Sequence, residues 1–166
     1  MPTLLIVHHS PSRSMQALLE QVVAGAHDDE VQAGTPVDVE VRPALEATAD
    51  DVLAADGYVL GTTANFGYMS GALKHFFDST FLAVGGALDP TGAPADGGGE
   101  TAGRPYGLWL HGRYDLTGAE RSVQSIVGAL DWRQGYDVLG VLGAVDDAAL
   151  EAAYALGATI AALLTD

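Results

Sequence analysis

The feature of this chain that most restricts its fold is a regular alternation of short, continuous apolar runs with stretches of helical spacing. Thr3 to Val7 is apolar and too short for a helix, which marks a strand buried on both faces. Behind it Met15, Leu18, Leu19, Val22, Val23 and Ala26 fall at i, i+3, i+4, i+7, i+8 and i+11, one face of a helix. Val37 to Val41 alternates as a half-covered strand does, and Thr48-Ala49-Asp50-Asp51 offers the cap of a short helix stopping near Gly57. Tyr58-Val59-Leu60 reads as a third strand closed by Gly61-Thr62-Thr63. Leu73, Phe76, Phe77, Phe81 and Val84 stripe a helix that opens near Ser70. Tyr106 to Leu110 is the fourth strand. Thr117-Gly118-Ala119-Glu120 fits a capping box ahead of Val123, Ile126, Val127 and Leu130. Val138 to Leu142 is the fifth strand, and Asp146 caps a final Ala-rich helix.

Five strands alternating with helices imply an α/β fold, a doubly wound parallel sheet with helices on both faces. The five-stranded order 2-1-3-4-5 suits 166 residues, and its ligand crevice lies where strands 1 and 3 diverge. One domain over residues 1–166 is expected. Residues 85–104, with seven glycines, break the rhythm and read as a mobile surface insertion.

Charge removes whole classes of function. With 22 Asp and Glu against 7 Lys and Arg the net charge is −15, so nucleic acid and anionic membrane surfaces are not expected partners. The absence of cysteine excludes disulfides, thiolate catalysis and cysteine-ligated zinc, and no metal site is expected. The first residues lack a basic n-region, and the uncharged stretch ending at Thr165 is too short for a span. A cytoplasmic, soluble protein is the expectation.

The loops after strands 1, 3 and 4 are where a ligand would sit. The first, His8-His9-Ser10-Pro11-Ser12-Arg13-Ser14, runs straight into a helix whose N-terminal amides suit phosphate, and it adds three hydroxyls and a cation. Serines also cap helices as a matter of course. His8 and His9 point to opposite faces if the strand continues through them, which makes them poor joint metal ligands. The second loop, Gly61 to Gly71, combines small residues with Asn65, Phe66 and Tyr68, a set suited to stacking and edge-reading a planar heteroaromatic ring. Packing of Phe66 and Tyr68 into the core is the alternative. The third loop, His111-Gly112-Arg113-Tyr114-Asp115-Leu116-Thr117, offers a cation and an aromatic, with an Arg113–Asp115 pair as its plain reading. Neither a Gly-x-Gly-x-x-Gly nor a Walker A pattern is present.

The stretch Gly61-Thr62-Thr63-Ala64-Asn65-Phe66-Gly67-Tyr68-Met69-Ser70-Gly71-Ala72-Leu73-Lys74-His75-Phe76-Phe77-Asp78 resembles the flavin loop and following helix of flavodoxin-like proteins, closest to their NAD(P)H-dependent FMN reductase and quinone reductase branch. That resemblance implies FMN as cofactor. Ser10, Ser12 and Ser14 would hold its phosphate, with the Met15 amide nearby. Thr62, Thr63, Asn65, Phe66, Gly67 and Tyr68 would line the ribityl chain and the ring. Gly112, Arg113 and Tyr114 would close its other side, with Arg113 and Tyr114 in the catalytic positions. Two departures stand out: Pro11-Ser12-Arg13-Ser14 lacks the glycine of the family's phosphate loop, and the fourth-strand loop lacks a Gly-Gly run. The implied activity is an oxidoreductase taking hydride from NADH or NADPH and passing electrons to a quinone or other small acceptor. A flavodoxin-type carrier docking a redox protein is the alternative, and a member that has lost its flavin is a third. Homo-oligomer formation is left open. A phospho-receiver domain shares the strand order, but its acidic pair, Asp and Lys positions read His8-His9, Gly61-Thr62 and Gly143-Ala144.

Overall fold

The computed structural model describes residues 1–95 and 99–166. Its elements in chain order are β1 (Thr3–His8), α1 (Arg13–Ala26), α2 (Asp29–Ala33), β2 (Asp38–Pro43), α3 (Ala49–Ala54), β3 (Gly57–Asn65), β4 (Tyr68–Met69) and α4 (Gly71–Thr80), then β5 (Pro105–Gly112), α5 (Thr117–Ala129), β6 (Arg133–Gln134), β7 (Leu139–Leu142) and α6 (Asp147–Leu163). The main sheet runs β2-β1-β3-β5, with β6 and β7 both pairing β5, and all of these pairings are parallel. Counting only the long strands, the order is the expected 2-1-3-4-5. β4 is an added antiparallel stub on the end of β3.

Successive side chains of a strand face opposite ways, so the sheet sorts its apolar residues into two cores. One holds Leu4, Ile6, Val59 and Trp109 beneath α1 and α6. The other holds Leu5, Val7, Tyr58, Leu60 and Leu108 against α3, α4 and α5. The α1–α6 crossing is close because a Cβ at Gly25 would collide with the Tyr154 carbonyl, and one at Gly157 with the Val22 carbonyl. On the other face the Trp132 ring stacks on Tyr58 at 3.9 Å. There Arg104 Nη1 donates to the carbonyls of Leu53 and Ala55 at the end of α3, at 3.1 and 2.7 Å. Those acceptors are orphans of a helix C-terminus, so a lone guanidinium serves as the cap that the sequence of α3 does not carry.

Several local expectations differ from what is seen. Gly61-Thr62-Thr63 lies inside β3, which continues to Asn65, because Ala64 and Asn65 find partners in β4. Thr117 does not form a capping box: α5 starts at Thr117 itself, Leu116 is its cap, and the Asp115 carboxylate accepts the Thr117 amide at 3.0 Å. α4 ends at Thr80, although Val84 still packs into the core. A sixth helix, α2, forms where Asp28 accepts the Glu30 and Val31 amides. In the described part of the segment 85–104, residues 87–94 are exposed. Leu88 bridges Pro94, and Thr101 is fully buried, accepting the Trp132 indole N–H at 2.9 Å. Residues 96–98 of that segment lie outside the described residues. Among the described residues no helix is long and apolar enough to cross a membrane.

Candidate functional site

The crevice lies at the carboxyl ends of β1, β3 and β5, where the chain leaves β1 for a helix on one face and β3 and β5 for helices on the other. Its first wall is the β1–α1 loop. Ser12 is the N-cap of α1, and its side chain accepts the Met15 amide at 3.2 Å, leaving the Ser12 O–H free to donate outward. The amides of Arg13 and Ser14 find no acceptor among the described residues. Ser10 Oγ lies 2.9 Å from His8 Nδ1. Burial, reinforced by neighbouring His9, lowers the His8 pKa below the ordinary 6.5, so His8 is neutral at pH 7. Ser10, Ser12 and Ser14 are half-buried and Arg13 is exposed. Of the residues expected here, Met15 differs: its side chain is fully buried and its amide is spent on Ser12.

The second wall is the hairpin between β3 and β4. Asn65 pairs with Tyr68 across a two-residue turn in which Phe66 has φ 51 and Gly67 φ 78. Two positive φ angles are what a type I′ connection needs, and that geometry matches the twist of the strands. Glycine takes it freely; a bulky residue such as Phe66 does so only under strain. The turn is held from behind, since a Cβ on Gly118 would collide with the Gly67 carbonyl, and Met69 N donates to Ser122 Oγ at 3.3 Å. Phe66 is fully exposed and Tyr68 partly so, not packed in the core.

Thr62 and Thr63 part company because they face opposite sides of β3. Thr62 is fully buried; its hydroxyl accepts the Ser70 amide at 3.0 Å and lies 3.0 Å from the Ser70 hydroxyl, which in turn caps α4 by accepting Leu73 N at 3.1 Å. It is a structural group and does not reach the crevice. Thr63 faces α1, and its Oγ1 is buried without a hydrogen-bond partner among the described residues.

The third wall is the β5–α5 loop. Arg113 and Tyr114 are exposed, with the guanidinium carbon 5.8 Å from the Tyr114 ring centre. Arg113 makes no ion pair with Asp115 among the described residues; Asp115 is occupied with the Thr117 amide. A pocket of about 370 Å³ separates Ala64–Gly67 from Arg113–Asp115. Another pocket of about 370 Å³, more apolar, lies on the flank between α4, Leu82–Pro94 and α5; its charged members Lys74 and Asp78 are paired to each other at 2.7 Å. It is away from the strand ends, and its polar groups do not converge. The first pocket is therefore the better site.

Ser122 and Gly118 were not foreseeable as parts of this site, because nothing within α5 shows that its first turns abut a hairpin more than fifty residues earlier. Taken together, the walls offer free amides, hydroxyls and a cation at one end, suited to an oxyanion, and exposed aromatic rings at the other, suited to a flat ligand.

No family model matches the chain. A stretch of 89 residues, 54% of the chain, is 33% identical to a flavodoxin of Aquifex aeolicus, and the match spans 45% of that protein's length. Among solved structures, a flavodoxin from the domain Archaea superposes with a TM-score of 0.77 at 18% identity, covering 99% of both chains. The fold is flavodoxin-like. A flavodoxin, WrbA-like protein from Agrobacterium tumefaciens gives a TM-score of 0.68 at 16% identity, again over 99% of both chains. At such identities the likeness carries the fold and does not separate carriers from reductases.

Proposed function

We propose that this chain binds FMN across the ends of β1, β3 and β5 and works as an electron carrier. The observation that carries the reading is the division of the crevice just described. Its oxyanion end has unpaired Arg13 and Ser14 amides and the orphan Thr63 hydroxyl, and its ring end has exposed Phe66, Tyr68 and Tyr114. FMN, when bound, supplies one- and two-electron redox chemistry at its ring. The chain's part is to hold and shield it. Ser10, Ser12, Ser14 and Thr63 take the phosphate, and Arg13 adds a charge that offsets the missing loop glycine. Asn65 and Gly67 offer polar groups to the ring edge, while Phe66 or Tyr68 on one side and Gly112–Tyr114 on the other cover its faces. Arg113 stands where it stabilises the negative charge that reduction brings to the ring, so Arg113→Ala lowers the two-electron potential; an unchanged potential removes it from that role.

The experiment that tests the reading is titration of the apoprotein with FMN and with riboflavin, followed by fluorescence quenching and the visible spectrum. FMN binding far tighter than riboflavin supports it; binding of neither sinks it.

A second reading, an NAD(P)H-dependent oxidoreductase acting on a quinone or similar small acceptor, is favoured by one feature. Residues 8–14, 61–70 and 111–117 contain one acidic residue, Asp115, in a chain of charge −15, and they include Arg13 and Arg113. Such a rim tolerates an anionic small molecule better than the rest of the surface does. Anaerobic mixing of the FMN-loaded protein with NADH or NADPH decides: rapid bleaching of the flavin makes it a reductase, and none leaves it a carrier.

A further inference from the structure

The chain has two tryptophans, both buried, and they differ in one respect. Trp132 donates its indole N–H to Thr101 Oγ1 at 2.9 Å, whereas the indole N–H of Trp109, fully buried, has no acceptor among the described residues. A buried donor left unpaired costs roughly the full desolvation of that group, so such groups are rare and call for a partner. Only one other buried side-chain polar atom among the described residues lacks a partner, and it is Thr63 Oγ1.

The two orphans lie close in the fold. Trp109 of β5 pairs with Gly61 of β3, and its ring lies over Gly61, where a Cβ would collide with Cζ2 and with Cε2, the carbon bonded to Nε1. On its other side Gly61 pairs with His8, the last residue of β1 before the Ser10–Ser14 loop. The indole thus reaches from β5 across β3 toward the root of the loop, on the face covered by α1. Thr63, two residues beyond Gly61, is on that same face, nearer the carboxyl edge.

We propose that the Trp109 indole N–H and the Thr63 hydroxyl form the inner wall of the phosphate site, bonding the phosphate of FMN directly or through one buried water, and that Trp109 thereby sets the preference for phosphorylated over unphosphorylated flavin. This rests on the flavin reading above. The absence of side chain at Gly61 is part of the device, since any larger residue there displaces the ring.

With only two indole N–H groups in the chain, the test is direct. In ¹⁵N-labelled full-length protein, FMN moves the indole resonance of Trp109 and leaves that of Trp132 in place, while riboflavin moves neither. Trp109→Phe, which assigns the resonance, weakens FMN by about tenfold or more and changes riboflavin by less than about twofold. Thr63→Val keeps the side-chain shape and gives the same selective loss if the Phe variant does not fold. An FMN-saturated protein whose Trp109 resonance stays put, or variants that bind FMN as tightly as the parent, overturns this inference and leaves the flavin reading standing. A parent chain that binds neither flavin overturns both.

Discussion

At the β1–α1 loop the hydroxyls are half-buried, His8 is held neutral, and Met15 and Trp109 beneath are closed off from water. The β3–β4 turn and β5–α5 loop across the crevice are the reverse: Phe66, Tyr68 and Tyr114 stand in solvent, and Phe66 is held at a φ of 51. One wall carries its cost as desolvated donors, the other as backbone strain and exposed apolar surface. Those are different debts, settled by different chemistry: an oxyanion relieves the first, and a flat ring covers the second. The walls should therefore respond differently to the same ligand pair, and substitutions can separate them.

The largest effect is expected at the floor of the polar wall. Gly61→Val inserts a side chain where the Trp109 ring lies, in a central strand where valine is otherwise favoured, so any loss reports the collision alone. Overpacking of this kind costs about 1–3 kcal/mol. Urea unfolding reads it, and an unchanged midpoint shows that the indole moves aside and the wall is not rigid. Next comes Ser12→Ala, which removes the cap from α1 and should cost about 1 kcal/mol. It also removes a hydroxyl from the oxyanion end. FMN should weaken while riboflavin is unchanged, and equal weakening of both would place Ser12 outside the phosphate contacts.

The polar wall was more legible in sequence than the aromatic one, for a physical reason. A serine before a helical stripe is a local signal, and Ser12, Ser70 and Asp146 all cap the helices they precede. The strand order likewise follows from periodicity and connection rules. What the pattern does not contain is whatever depends on distant partners. β3 runs on to Asn65 only because β4 folds back on it. Thr62 and Thr63 look alike in sequence, yet strand alternation buries the first in the Ser70 network and turns the second toward α1. The capping box at Thr117 fails because Asp115, two residues earlier, takes the Thr117 amide that the Glu120 side chain would accept in such a box. Trp109 reads simply as core, and only the register with Gly61 shows that its N–H is left over.

The aromatic wall should behave oppositely under substitution. Phe66→Gly relaxes a left-handed conformation that costs a side chain about 1–2 kcal/mol, less the roughly 0.5–1 kcal/mol that glycine gives back in chain entropy. The apoprotein should become more stable, by up to about 1.5 kcal/mol, while FMN and riboflavin weaken together because both present the same ring. Stability gained where binding is lost is the signature of strain kept for function. A destabilised Phe66→Gly protein would mean that the exposed ring is held by contacts that matter to the fold.

The smallest effect is a pH dependence confined to the polar wall. His8 has its pKa lowered in the folded chain by burial and by His9, so folding is fully favoured above the ordinary imidazole value of 6.5 and loses this contribution as pH falls from there toward the folded-state value. The unfolded chain takes up a proton over that range that the folded chain resists. The urea midpoint of the apoprotein should therefore fall between pH 7.5 and 5.5, and His8→Gln should reduce that fall. An identical fall in the variant would assign the acid sensitivity to groups other than His8. FMN sharpens the comparison further. A phosphate dianion beside His8 opposes the effects of burial and of His9 and raises its pKa, so the loaded protein should lose less stability on acidification than the apoprotein does. Riboflavin, which lacks that charge, should give no such protection.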